Sequence, residues 1–267
     1  MILHSRPHIH LEDLYAISDV LSSRMIGRCE KTKELEEVIA KATNAKEVVV
    51  VGSGRAAIAF ACQALGFTSI QVPTYSSDDL MDAPIWGGAR PIPYDIDGNI
   101  EDAIVVHPYH FRQSGRIIHD FAHIWPKDFD VGNDIAIFSF GPLKPITGGH
   151  GGAIACNFKL DRHKLENMSP ISDMNSSLIL SQLKRPPPEK RYIRVNDFDT
   201  CQQYFSSKGI TVRHETGGLV HRMMGLSDER FPKAVKRWNT VVSIPNYPDL
   251  TNEERKLIDD ACRRYSV

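Results

Sequence analysis

The feature that most constrains this chain is a series of short apolar runs without polar alternation. A strand with one wet face alternates apolar and polar residues, whereas a strand covered on both faces reads as a continuous apolar run. Residues 46–51 end in four valines and stop at Gly52, and comparable runs occupy 70–72, 89–96, 103–106, 116–120, 134–140 and 152–156. Helical stretches separate some of them. One is a small-residue segment closing at Gly66, and another spans residues 78–86, where Pro84 must bend or end it. Residues 5–42 also read as helical, with Leu35, Val38 and Ile39 on one face. This order predicts an α/β domain reaching to about residue 183, its sheet covered by helices on both sides.

A compositional break follows. Residues 184–194, KRPPPEKRYIR, hold three consecutive prolines, five basic residues and one acid. They read either as a stiff, solvated linker or as an anion or partner contact near an active site. Beyond them, residues 199–208 predict a helix ended by Gly209, and 210–212 a strand. Thr251 and Glu254 form a capping box for a last helix whose apolar face is Leu257, Ile258, Ala261 and Tyr265. These elements predict a small C-terminal α/β domain.

Composition narrows the function classes. At 267 residues and 42% hydrophobic content the chain can bury a large core. A formal charge of -1 gives no general pull toward nucleic acid or an anionic membrane surface. The opening MILHSRPHIH has no long apolar stretch, so neither a secretory signal nor a membrane span is expected. Five cysteines without metal-like spacing, an odd number, read as reduced thiols in a cytoplasmic protein.

Three positions invite chemistry. The turn Gly52-Ser53-Gly54 joins a strand to a helix, so free backbone N–H groups could hold an anion, with the Ser53 hydroxyl and the Arg55 guanidinium beside them. The same turn also serves as plain structural punctuation, and it lacks the glycine spacing of a dinucleotide fingerprint or a P-loop. Asp120 ends an apolar strand, where ligand-binding groups gather, and could face a protonated heterocyclic nitrogen or simply cap the next helix. Lys144 lies in GPLKPITGGHGG after an apolar strand. In such a constrained, apolar loop an amine could be desolvated and act as a Schiff-base nucleophile, or it could be ordinary surface charge.

The sequence resembles the pyridoxal-phosphate (PLP)-dependent sugar-nucleotide aminotransferases of the DegT/DnrJ/EryC1/StrS family. The resemblance is carried by VVVGSGRAAIAFACQALG, IIHDFAHIW, GNDIAIFSFGPLKPITGGHGGAIA and SIPNYPDLTNEE, the third being the most specific. It implies fold type I of the PLP enzymes, an aspartate-aminotransferase-like α/β fold. A large mixed-sheet domain would span residues 1–183, a proline-rich basic linker 184–198 and a reduced C-terminal α/β domain 199–267. Carried over by position, Ser53, Gly54, Arg55 and Ser139 would hold the cofactor phosphate, and Tyr75 would lie near the cofactor. Asp120 would pair with the pyridine nitrogen, and His123 would sit against the ring or its phenolic oxygen. Lys144 would form the internal aldimine and shuttle the proton.

The implied reaction moves an amino group from an amino acid donor, such as glutamate, to a keto or aldehyde acceptor, most naturally a sugar derivative. A homodimer is implied as well. The chain departs from the family pattern at Arg55, where a small hydroxyl residue is usual, at Ser77, where an aromatic ring is usual, and at His150, where an acid is usual. Members of the family also run longer, with the shortfall here placed after Cys156. These departures would equally suit a non-catalytic binding or regulatory relative that keeps the fold.

Overall fold

The computed structural model describes residues 1–96, 102–107 and 116–265. Its main sheet contains β1 (Glu47–Val51), β2 (Ser69–Pro73), β4 (Arg90–Tyr94), β5 (Ala103–Val106), β6 (Ile117–Asp120), β7 (Ile135–Ser139) and β8 (Gly152–Cys156). The order is β1-β8-β7-β6-β5-β2-β4. Strand β8 runs antiparallel to both its neighbours, and the other pairs are parallel. The carboxyl ends of β1, β2, β6 and β7 therefore open on one edge, where open α/β sheets bind ligands.

The two faces of each apolar run meet different helices, which is why the runs lack polar alternation. Val49, Val51, Ile118, Ile137 and Ile154 pack against α3 (Gly54–Leu65) and α4 (Asp79–Trp86), where Ala57 and Ala61 let α3 approach closely. Val48, Val50, Ala136, Phe138 and Ala153 pack against α2 (Glu30–Thr43) and α6 (Asp173–Leu183) through Leu35, Ile39, Ile179 and Leu180. Each valine or isoleucine fully removed from water contributes about 1.5–3 kcal/mol, so the sheet is the rigid part of the molecule. Helix α5 (Arg162–Met168) flanks β1.

The N-terminal helix predicted over residues 5–42 is two helices. The first, α1 (Leu11–Ser23), ends where Arg24 turns left-handed at φ 61°, and it packs on α6. The second, α2, has no side-chain cap from Cys29, its own N-cap residue. Asp173 supplies one from α6 instead. Its carboxylate accepts from the backbone N–H groups of Cys29 (2.8 Å), Lys31 (2.9 Å) and Thr32 (3.0 Å), and from the Thr32 hydroxyl (2.7 Å). Burial would raise the Asp173 pKa, but these donors outweigh it and hold the group below the usual carboxylate range.

The C-terminal part forms a second sheet, in the order β10-β12-β9, from β9 (Arg191–Arg194), β10 (Arg213–His214) and β12 (Val241–Ile244). Its core joins Ile193, Val242 and Ile244 to α7 (Phe198–Ser207) and α10 (Asn252–Tyr265), and also takes in Ile2 from the start of the chain. The basic end of KRPPPEKRYIR is thus a strand. The strand expected at 210–212 lies just beyond, at Arg213–His214, while Ile210 forms an isolated bridge with Ile2. The capping box of α10 forms as expected, with Glu254 N–H to Thr251 Oγ1 at 3.1 Å and Thr251 N–H to Glu254 Oε2 at 2.9 Å.

Between the two sheets, β3 (Tyr75–Ser76) pairs with β11 (Gly218–Leu219), followed by α8 (Val220–Met223) and α9 (Pro232–Thr240). A clip secures this crossing. The Thr74 hydroxyl meets His221 Nδ1 at 2.5 Å, and His221 Nε2 meets Asp228 Oδ1 at 3.0 Å. The order hydroxyl, imidazole, carboxylate resembles a nucleophilic triad. Thr74 and His221 are both fully buried, so no substrate reaches them and the array is structural.

Candidate active site

Strand β1 ends in the Gly52-Ser53-Gly54 turn and passes directly into α3. Ser53 caps that helix, accepting from Ala56 N–H at 3.1 Å. Gly54 is required by contact: a Cβ there would lie 2.5 Å from Ser139 Cβ and 2.8 Å from Ser139 Oγ. The start of α3 and the end of β7 therefore touch, which places the first N–H groups of a twelve-residue helix beside a serine hydroxyl. Unpaired N–H groups and the helix dipole make such a junction suited to an anion such as phosphate.

Arg55 is held elsewhere by acids. Its Nε donates to Asp79 Oδ1 at 2.6 Å, a terminal nitrogen lies 3.9 Å from Asp78, and the guanidinium stands 5.4 Å from the Trp86 ring centroid. Tyr75 is likewise committed. Its ring is fully buried, and its hydroxyl donates to Glu215 Oε2 at 2.8 Å, while Arg237 grips the same carboxylate at 2.7 and 2.8 Å. Burial, then the Glu215 charge, push the Tyr75 phenol up. Ser77, at the position where the family resemblance places an aromatic ring, reaches Asp79 Oδ2 at 3.3 Å.

Asp120 closes β6, buried, and accepts from Ala122 N–H at 2.8 Å. Burial pushes its carboxyl up to about 6, although the Lys144 charge and the Ala122 N–H pull the other way. Lys144 follows β7 in a loop pinned at several points. Lys144 N–H donates to the Gly141 carbonyl at 3.0 Å, Gly148 N–H to that of Phe140 at 2.9 Å, and Thr147 N–H to Gln182 at 2.8 Å. Gly141 bridges the two halves of the site: a Cβ there would lie 3.8 Å from Lys144 Cγ and 4.0 Å from Ser139 Oγ. His123 is held well below its ordinary pKa by burial first and then by the charges of Lys144 and Lys190.

A cavity of about 700 Å³ opens beside these groups. Lys144, His123 and Ser77 line it from the sheet side, and Lys190, Glu215 and Trp238 from the C-terminal side. The sheet edge thus gathers Ser53, Gly54, Ser139, Asp120, His123 and Lys144. Neither Tyr75 nor Arg55 lines the cavity: Tyr75 bonds to the lining Glu215 from behind, and Arg55 is held by Asp79. Sequence reading missed Glu215 and Arg237, whose meeting with Tyr75 depends on chain separations that no local pattern records, and Lys190, which read as part of a linker.

Residues 7–106 match the model of the DegT/DnrJ/EryC1/StrS aminotransferase family. Among solved structures, TlmJ, an aminotransferase from Streptoalloteichus hindustanus, is 16% identical with a TM-score of 0.80, covering 99% of this chain and 98% of its own. Spr1654 from Streptococcus pneumoniae in its PLP form is 18% identical with a TM-score of 0.79, covering 97% of each chain. The sugar aminotransferase CalS13 from Micromonospora echinospora is 15% identical with a TM-score of 0.75, covering 99% of this chain and 100% of its own. The mixed sheet with a single reversed strand is that of fold type I, and the likeness spans both sheets. Over residues 7–106 the chain matches the DegT/DnrJ/EryC1/StrS aminotransferase family model, and along its length it shares the fold of these solved aminotransferases.

Proposed function

We propose that the protein is a PLP-dependent aminotransferase that moves an amino group from an amino acid donor to a keto or aldehyde acceptor, a sugar derivative. The observation that carries this reading is the placement of Lys144, in a pinned loop at a cavity, within the electrostatic reach of the buried Asp120. The residues fit the cofactor. A buried carboxyl pushed up to about 6 is an acid in want of a cationic partner, which a protonated ring nitrogen supplies. The Gly54–Ser139 contact leaves a cradle of N–H groups and a hydroxyl suited to a phosphate.

Bound PLP supplies the electron sink for amino transfer, and the protein supplies orientation and proton handling. Asp120 keeps the proton on the ring nitrogen. Lys144 Nζ would hold the cofactor's aldehyde, and its amine is the group placed to accept and return a proton. The N-terminus of α3, with Ser53 and Ser139, anchors the phosphate. The solution of Spr1654 in both PLP and PMP forms supports this cofactor, and the description of CalS13 as a sugar aminotransferase supports the acceptor class.

The protein acts as a homodimer in this proposal. Helix α1 turns Leu11, Leu14, Tyr15 and Leu21 outward at helical spacing, each more than half exposed, and a second subunit would cover that stripe. A cytoplasmic setting accords with Cys29, Cys62, Cys156, Cys201 and Cys262 all being free thiols. Among the described residues no helix is long and apolar enough to cross a membrane.

Purified protein titrated with PLP should develop the visible absorbance of bound cofactor, and Lys144→Ala should not. Adding candidate amino donors should then discharge the band. Wild-type protein that stays colourless with PLP would point to the non-catalytic relative instead.

A further inference from the structure

The proline-rich segment reads as a stiff, solvated linker or as an anion or partner contact near an active site. Its course runs along the cavity. Prolines 186–188 line the cavity together with Arg185, Glu189 and Lys190. Consecutive prolines hold the backbone extended and stiff, so Lys190 is presented from a firm wall. Its Nζ lies 2.6 Å from His123 Nδ1.

That contact assigns the imidazole. A lysine ammonium has donors and no acceptor, so Nδ1 must be the accepting nitrogen. A neutral ring then carries its proton on Nε2. Protonating Nδ1 would break the hydrogen bond and set two cations in contact. We infer that Lys190 is a positioning residue of this site, whose ammonium, donating to His123 Nδ1, keeps the imidazole neutral with its proton on Nε2. The inference rests on the aminotransferase reading only for the reaction step that it serves.

The charges around the pair agree. Lys144 and Lys190 both face His123, and Lys144 and Glu215 face Lys190. Burial and then the Lys144 charge lower the Lys190 amine to about 8, while Glu215 opposes the shift. The contact is therefore an ammonium–imidazole hydrogen bond below about pH 8. Above that pH the amine becomes neutral and ceases to dictate which imidazole nitrogen bears the proton. A neutral His123 donating from Nε2 can hold an anionic oxygen of a bound ring without adding to the positive charge of Lys144.

The test reads His123 directly by two-bond proton–nitrogen correlation NMR on cofactor-free protein, its signals assigned with His123→Gln. Wild type should show the Nε2–H form, with a midpoint well below that of an ordinary histidine. In Lys190→Met, the loss of one adjacent cation should raise the His123 midpoint by about one pH unit or more. Lys190→Arg, which keeps the charge and a donor, should restore the low value.

A His123 that titrates normally in wild type, or whose midpoint is unmoved in Lys190→Met, would overturn the inference. Because the NMR measurement needs no cofactor, the two proposals fail separately. Protein that never binds PLP yet shows a Lys190-dependent His123 loses only the proposed function. Protein that binds PLP with a Lys190-independent His123 loses only this inference.

Discussion

The two sides of the cavity are built by different means. On the sheet side, Lys144 lines the cavity from a loop after β7, and Ser53, Asp120 and Ser139 sit at neighbouring strand ends, where strand pairing fixes their spacing. Gly152 pairs with Val51 on one side and Ser139 on the other, and Asp120 pairs with Ile137. On the C-terminal side, the wall is made of short segments joined by side chains: Glu215 to Tyr75 and Arg237, and Lys190 to His123. A site fixed by backbone pairing is over-determined, because many hydrogen bonds and apolar contacts hold each position. A wall fixed by individual polar side chains depends on each of them. The sheet side should therefore tolerate loss of a functional group without losing its shape, while the other wall should not.

The largest expected effect comes from removing Glu215. Its carboxylate is buried and takes two bonds from Arg237 and one from Tyr75. Glu215→Ala strands the guanidinium and a buried phenol together, at a cost of about 2–4 kcal/mol given that Arg237 keeps partial solvent access. Denaturant unfolding should show the loss, and Tyr75→Phe should show a smaller one. A variant as stable as wild type would mean that this wall is not held by its polar contacts.

On the sheet side, Asp120 should behave in the opposite way. Its folded pKa, about 6, lies above the 3.8 of an unperturbed aspartate, so between these values the folded protein holds a proton that the unfolded chain has released. Stability of the cofactor-free protein should therefore fall as pH rises through that window and stay lower above it, by roughly 3 kcal/mol in all. Asp120→Asn removes the ionisation. Its melting temperature at pH 7.5 should exceed that of wild type, and the difference should shrink toward pH 4, while affinity for PLP drops. A variant less stable than wild type at pH 7.5 would show that the carboxylate is already satisfied without a ligand.

The same contrast explains what could be read from sequence. The sheet announced itself because continuous apolar runs leave few alternatives to burial on both faces, and the predicted strand at residues 152–156 coincides with β8. The residues at strand ends inherit that legibility, which is why Asp120 and Lys144 stood out. The C-terminal wall offered no such signal. Tyr75 and Glu215 are 140 residues apart, and Lys190 lies in a segment whose charge and prolines suit a solvated linker as well as a cavity wall. The break between α1 and α2 falls at a left-handed arginine, a conformation that arginine composition does not advertise. Arg55 looked like a phosphate ligand because its neighbours Asp78 and Asp79 only meet it once α4 folds back over α3.

The smallest effect tests whether polar contacts matter equally everywhere outside the main sheet. Thr251 and Glu254 cap α10, on the far side of the C-terminal core, and neither lines the cavity. Thr251→Ala removes one acceptor for an exposed helix N–H that water can replace, so the cost should be about 1 kcal/mol. The helix should persist, because Ile258, Ala261 and Cys262 stay buried against the C-terminal sheet. Unfolding should register that small loss, whereas PLP binding and the His123 titration should not move. If Thr251→Ala disturbed His123 as much as Lys190→Met does, the C-terminal unit would act as one body on the site, and the individual contacts along the cavity wall would no longer explain its shape.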